Sequence, residues 1–253
     1  MAVYVKIRKN GDYHSYNFAH AVYGFREMGA EIIKYESLDD IYDRVTREDI
    51  VLDYIDQTKE ILRKFGVTPG IEDYPKELQP FMGRSVWLDT IDNFNARPDK
   101  WGVFIKPIKD KAFTGRVVNS PKDLIGCGNE QENYKILCCD AIDIKREFRG
   151  FVIYDELVDI RPYRGDYHYN YDPEIVDKIM EAFRTIPERP AGCSVDIAII
   201  EKDGKQETVF LEMNDGYSLG NYGLQYLSYA KLLSARWSQL VGVADPYDFR
   251  KYK

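Results

Sequence analysis

The sequence predicts a mixed α/β protein in two parts, a small α/β unit over residues 1–83 and a larger one over residues 84–253. Three observations predict it. Strand-like apolar runs alternate with helical periodicity through roughly the first eighty residues, the pattern of a small α/β unit. Two long hairpin-like stretches, KREFRGFVIYDELVDIRPY and GCSVDIAIIEKDGKQETVFLEMN, dominate the second part. A chain of 253 residues, 44% hydrophobic and 14% aromatic, also carries enough apolar material for a substantial core.

The elements follow in order. Val3–Arg8 alternates apolar and charged residues and reads as a strand, Tyr16–Met28 as a helix stopped at Gly29, and Glu31–Tyr35 as a short strand. Leu38–Val45 reads as a helix with Asp39 and Asp40 near its start, where acids suit the dipole. Asp49–Leu52 is a strand, and Asp53–Phe65 a helix that Gly66 ends. Ser85–Ile91 reads equally as strand or helix, and Trp101–Ile108 as a strand. Ser120-Pro121 is a helix start, with serine as cap and proline first inside. Tyr134–Cys139 is a strand and residues 139–143 a connection. Asp172 caps a helix over Pro173–Phe183, and Leu224–Val241 is a closing amphipathic helix.

Polar residues interrupt the hairpins where apolar ones are expected. Asp196 lies inside the first strand of the second hairpin, and Glu212 and Asn214 end its partner. Burying a carboxylate is costly without a partner, and three oxygen donors suit a hard cation such as Mg²⁺. Glu212 and Asn214 share a face by spacing. A three-residue loop, Lys202–Gly204, brings Asp196 onto that face, and a two-residue loop puts it on the other. From these residues alone, a metal set and an edge hairpin with solvated acids are equally supported. The first hairpin poses the same question with opposite charge. A three-residue loop, Tyr154–Glu156, pairs Arg149 with Arg161 on one face, and a two-residue loop separates them. Like charges directly opposite destabilise a sheet unless an anion bridges them. The alternative pairs Arg149 with Glu147 or Asp159 on a solvated face.

Aspartate on one strand and Glu-x-Asn ending the next resembles the magnesium motif of the ATP-grasp superfamily. The tail LEMNDGYSLGNYGL is similar to a phage and bacterial clade of that superfamily marked by two arginines and a lysine. The likeness runs from about Val103 to the closing helix. It implies a two-lobed ATP-grasp domain over 84–253, following a small N-terminal α/β domain. It further implies Lys106 on a strand and a glycine loop with Lys111 and Gly115 at the phosphates of ATP. Cys139, Asp140, Ala141, Ile142 and Asp143 then form the hinge for adenine and ribose, although relatives often have Glu at the place of Asp140. Asp196, Glu212 and Asn214 hold Mg²⁺. Arg149 and Arg161 neutralise the transferred phosphate or hold the acceptor carboxylate, and Arg146 is a spectator. Ser218 and Asn221 are the substrate candidates of the loop DGYSLGNYG.

The activity so implied is a ligase joining a small-molecule or peptide carboxylate to an amine through an acyl phosphate. A kinase of the same fold and a non-catalytic nucleotide-binding phage protein are the alternatives. Net charge is −7, so no global basic field draws nucleic acid. The N-terminus MAVYVKIRKN lacks an apolar stretch of signal length and no run approaches a membrane span, so a cytoplasmic protein is expected. Cys127, Cys138, Cys139 and Cys193 lack zinc spacing and read as reduced, packed thiols. His14, His20 and His168 sit in no nucleophile motif, which argues against a triad hydrolase. Many relatives pair, and a homodimer is the expectation that the resemblance carries.

Overall fold

The computed structural model describes residues 1–108, 112–128, 132–202, 204–248 and 250. In chain order the strands are β1 (Ala2–Lys6), β2 (Glu31–Tyr35), β3 (Ile50–Leu52), β4 (Val86–Thr90), β5 (Val103–Pro107), β6 (Arg116–Val118), β7 (Lys135–Asp140), β8 (Ile144–Ile153), β9 (Glu156–Gly165), β10 (Gly192–Lys202) and β11 (Lys205–Asp215). The helices are α1 (Tyr16–Glu27), α2 (Ile55–Lys64), α3 (Ile91–Asn95), α4 (Pro173–Phe183) and α5 (Tyr226–Val241). The protein is α/β, as its alternating patterns require. Among the described residues no helix is long and apolar enough to cross a membrane.

Compactness divides the chain into residues 1–81 with 145–253, and residues 82–144. The first unit contains a parallel sheet in the order β2-β1-β3 and an antiparallel sheet in the order β11-β10-β8-β9. One buried cluster joins the two chain segments. It takes Val3 and Val5 from β1, Phe25 from α1, Leu62 from α2, Phe151 from β8 and Trp237 from α5. Helices α1 and α5 touch at Gly24, where a Cβ would collide with the Tyr226 carbonyl oxygen. The sequence division at 83/84 assigns these pieces differently, because the N-terminal residues find their apolar partners at the far end of the chain.

The second unit is an antiparallel sheet in the order β4-β7-β5-β6. One face, with Ile105, Val118, Ile136 and Cys138, is buried under Ile91 and Phe94 of α3. Ser85–Ile91, undecided from sequence, resolves into β4 followed at once by α3. The Thr90 side chain accepts the Asn93 N–H at 3.4 Å and caps that helix.

Caps fall where the serine and aspartate signals place them. Ser15 accepts from Asn17 N–H ahead of α1, and Asp172 from Glu174 N–H ahead of α4, with Pro173 first inside. Two expected helices shrink. Leu38–Val45 forms one 3₁₀ turn over Leu38–Asp40, where the Asp40 carboxylate folds back onto the N–H groups of Ser37 and Glu36. Ile41 and Val45 are nevertheless buried, so a longer helix is not needed to place them. After Ser120 only Pro121–Leu124 is helical, again closed by a capping box, with Asp123.

Candidate functional site

Both hairpins of the β11-β10-β8-β9 sheet correct the turn expected of them and still deliver the expected face. In the second, Lys202 pairs with Lys205 and Glu201 with Gln206, so the loop holds two residues, not three. That register alone would turn Asp196 away from Glu212. A bulge between Asp196 and Ile197 shifts it by one, because Ile197 faces Phe210 while Asp196 faces Glu212. Leu211 is the extra residue. Ser194 likewise faces Asn214. In the first hairpin Ile153 pairs with Glu156, again a two-residue loop. Tyr154 and Asp155 take φ of 49° and 75°, the left-handed pair of a type I′ turn. A bulge between Phe151 and Val152 then restores the shift, and Arg149 stands opposite Arg161.

The result is one row across four strands: Glu212 on β11, Asp196 on β10, Arg149 on β8 and Arg161 on β9. Like charges face each other within each hairpin, which would destabilise the sheet if nothing compensated. The compensation sits in the middle. Arg149 grips Asp196 with two prongs, Nε to Oδ1 at 2.9 Å and Nη2 to Oδ2 at 2.7 Å. Asp196 is fully buried and Arg149 nearly so. Burial pushes the Asp196 carboxyl above the ordinary carboxylate value, the bonds and charge of Arg149 pull it back, and Glu212 opposite pushes it up again. Burial also works against the Arg149 charge, but its bonds to Asp196 and that carboxylate's charge hold the proton more tightly than usual. The two-pronged geometry makes this an ion pair.

Asn214 ties the acid end together. Its Nδ2 donates to Ser194 Oγ at 3.3 Å, Asp196 Oδ2 at 3.2 Å and Glu212 Oε1 at 3.4 Å. The amide nitrogen thus stands where a cation would, between two carboxylates. Turning the amide over presents its oxygen to that place, so the donor set is all hard oxygen and fits Mg²⁺. Among the described residues no cluster of three His, Cys, Asp or Glu side chains is built for a metal, so the set depends on the amide.

The arginine end is half open. Arg161 is bound by Asp159 two residues away, Nε to Oδ2 at 2.8 Å, and its side chain is 42% exposed. The pairing of Arg161 with Asp159 follows the solvated-face alternative, whereas Arg149 turns to Asp196 on the neighbouring hairpin. Arg146 plays a structural part. Its Nη1 donates to the carbonyls of Tyr167 and Tyr169 at 2.9 and 2.8 Å, shaping the loop after β9.

The remaining candidates fall in three groups. Lys106 lies on interior strand β5 opposite Leu137, on the face away from Ile105 and the core, and is not an edge lysine. Gly115 has a steric reason to be glycine, since a Cβ there would lie 2.6 Å from Cζ of Phe104. Lys111 lies outside the described residues. Cys139 is buried at the end of β7. Asp140 accepts the Ser85 N–H at 2.9 Å, and Ala141, Ile142 and Asp143 form the connection to β8. Ser218 and Asn221 are engaged by the chain itself. Ser218 Oγ donates to the Asp53 carbonyl at 3.0 Å, and the buried Asn221 donates from Nδ2 to Asn17 Oδ1 at 2.8 Å. Asn221 Oδ1 also accepts the Gly223 N–H at 2.8 Å. Both therefore fix the loop's path, which their polarity alone does not reveal.

Two aromatic neighbours of the site are missed by sequence reasoning. The Arg149 guanidinium carbon lies 5.7 Å from the Tyr163 ring centroid and 4.7 Å from that of Tyr222. Tyr163 also donates to Glu147 at 2.8 Å. The signal for Tyr222 is its place between Gly220 and Gly223. Tyr163 gives none, because the register shift between Glu147 and Phe148 decides its place opposite β8.

An acid hairpin and an arginine hairpin in one sheet, after an antiparallel unit that carries a strand lysine, define a protein of the ATP-grasp fold. Solved structures share that architecture. The D-alanine–D-alanine ligase of Bacillus anthracis complexed with ATP is 12% identical, with a TM-score of 0.53 over 95% of this chain and 97% of that one. An L-amino acid ligase from Bacillus licheniformis is 10% identical, with a TM-score of 0.58 over 94% of this chain and 75% of that one. The N5-carboxyaminoimidazole synthetase of Staphylococcus aureus is 12% identical, with a TM-score of 0.52 over 97% and 78%. No curated protein matches in sequence. The profile of an ATP-grasp domain, family 2 of the clade marked by two arginines and a lysine, matches residues 81–232. That is more than half of the chain, and the chain belongs to that ATP-grasp family.

Proposed function

We propose that this protein is an ATP- and magnesium-dependent ligase that joins a carboxylate to an amine through an acyl phosphate. The observation that supports it best is the charge row. The inner pair, Asp196 and Arg149, neutralise each other, and the outer members carry opposite charge. Four strands at about 4.8 Å spacing put Glu212 and Arg161 about 14 Å apart. One end suits a divalent cation and the other an anion, which is the polarity that phosphoryl transfer needs.

Glu212 and Asn214, steadied by Asp196, would hold Mg²⁺, which supplies charge neutralisation on phosphate oxygens when bound. Lys106, the Gly115 loop and the backbone of residues 139–143 are the proposed nucleotide contacts in the 82–144 unit. The acceptor carboxylate oxygen attacks the γ-phosphorus and ADP leaves. The amine nitrogen then attacks the acyl carbon, a C–N bond forms, and phosphate departs while the nitrogen loses its proton to solvent. Arg149 gives three polar contacts to Asp196, which leaves its Nη1 amino edge for the transferred phosphoryl group. Arg161 adds a second guanidinium. Donors aimed at developing charge are worth about 3 kcal/mol each in a water-excluded site.

The test is ADP release from MgATP with the common amino acids, with hydroxylamine added to trap an acyl phosphate as a hydroxamate. A carboxylate-dependent hydroxamate is expected, and Glu212→Gln should lower its yield about a hundredfold without changing Tm. A stable phosphorylated product formed without any amine would make the protein a kinase instead. Full turnover in Glu212→Gln would remove the metal assignment.

A further inference from the structure

We propose that Tyr222 is a positioning residue, holding the Arg149 guanidinium so that its Nη1 edge faces the reacting phosphate. The inference rests on the ligase reading for its chemistry and on separate geometry for itself. Tyr222 and Tyr163 flank the guanidinium, with their ring centroids 5.3 Å apart. Asp196 fixes two corners of the group, Nε and Nη2, within its plane. Two in-plane bonds still allow the group to rock about the line joining them. A ring against its face removes that freedom, and an aromatic face is the surface that attracts a guanidinium.

The backbone points the same way. Tyr222 has φ of +42°, a conformation that an aromatic residue adopts only when its surroundings impose it. Its ring is half exposed, so burial does not reward the strain. Glycine neighbours on both sides, at 220 and 223 with one residue between, would have let a glycine serve at 222 as well. The loop is instead anchored by buried Asn221 on Asn17, and that anchor presents the next residue toward Arg149. Local strain kept at an exposed tyrosine, and directed onto a buried arginine, marks position rather than packing.

The experiment separates this role from stability, because glycine at 222 relieves the backbone while deleting the ring. For Tyr222→Gly the expected result is an unchanged or higher Tm, kcat for ADP release from MgATP lower by about ten- to a hundredfold, and KM for ATP nearly constant. Tyr222→Phe keeps the face and should restore kcat to within about threefold. Tyr222→Asn, also tolerant of left-handed φ, repeats the test should the glycine variant fail to fold. A second readout needs no turnover: the Arg149 Nε–H resonance, assigned by its loss in Arg149→Lys, should exchange slowly with solvent in the native chain and in Tyr222→Phe, and quickly in Tyr222→Gly. Native kcat in Tyr222→Gly together with unchanged exchange overturns the proposal. If the native chain releases no ADP, the ligase reading fails, and the exchange measurement alone decides the role of Tyr222.

Discussion

The two hairpins of the β11-β10-β8-β9 sheet are built by one device and put to opposite uses. Each has a two-residue turn and a bulge between that turn and its functional pair. Each sets two like charges face to face, one on an inner strand and one on an edge strand. They differ in what stabilises the turn. Tyr154 and Asp155 hold a left-handed pair through distant partners: Tyr154 donates to Asp245, and Asp155 binds Arg189 at 2.5 and 2.7 Å. The other turn needs no such help, because Gly204 at φ +72° adopts the geometry freely. They also differ in burial, for the inner residues neutralise each other away from water while the edge residues stay accessible. The face a residue shows is therefore set by the bulge, not by the turn.

The widest gap between inner and edge partners should appear on removing their carboxylates. Asp196→Ala leaves Arg149 buried and unpaired and should cost about 3–5 kcal/mol in urea unfolding. Asp159→Ala, beside the half-exposed Arg161, should cost about 1 kcal/mol or less. Equal losses would abolish the distinction. Next comes deletion of Leu211. It makes Phe210 and Glu212 consecutive and so keeps Glu212 opposite Asp196 without a bulge. ADP release should survive while stability falls by about 2 kcal/mol from the lost buried side chain. Abolished turnover in a folded deletion variant would show that the twist of the bulge, and not pairing alone, aims the acids. Gly204→Ala should cost about 1 kcal/mol, since alanine resists a left-handed φ. The smallest effect is on acid stability. Arg189 hydrogen bonds, opposed by burial and helped by its charge, hold the Asp155 carboxyl below its ordinary 3.8. Its contribution is present above that value and fades as pH falls through the lowered one, so a pH series of Tm should lose this slope in Asp155→Asn.

Much of this is readable in advance. Alternation and caps locate the hairpins, α1, α4 and the strand that bears Lys106. The face shared by Asp196, Glu212 and Asn214 is also anticipated, but by way of a three-residue turn that does not form. Turn length has a local signature in glycine and left-handed residues, whereas a bulge at Leu211 answers to twist and to packing across the sheet, which no short stretch encodes. What Ser218 and Asn221 do is hidden for a similar reason. Their partners, Asp53 and Asn17, lie more than 150 residues away in sequence. The shared core of residues 1–81 and 145–253 is hidden as well, because periodicity tells that a face is apolar and not which face covers it.

That shared core orders events during synthesis. Val3, Val5 and Phe25 are translated long before Leu232 and Trp237, which belong to the same buried cluster. The opening strands must wait, partly uncovered, until α5 clears the ribosome. Folding is then governed by contacts of very long sequence separation, which are slow to close. Nascent chains halted before Tyr226 should remain open to protease in their first eighty or so residues, and chains released after α5 should not.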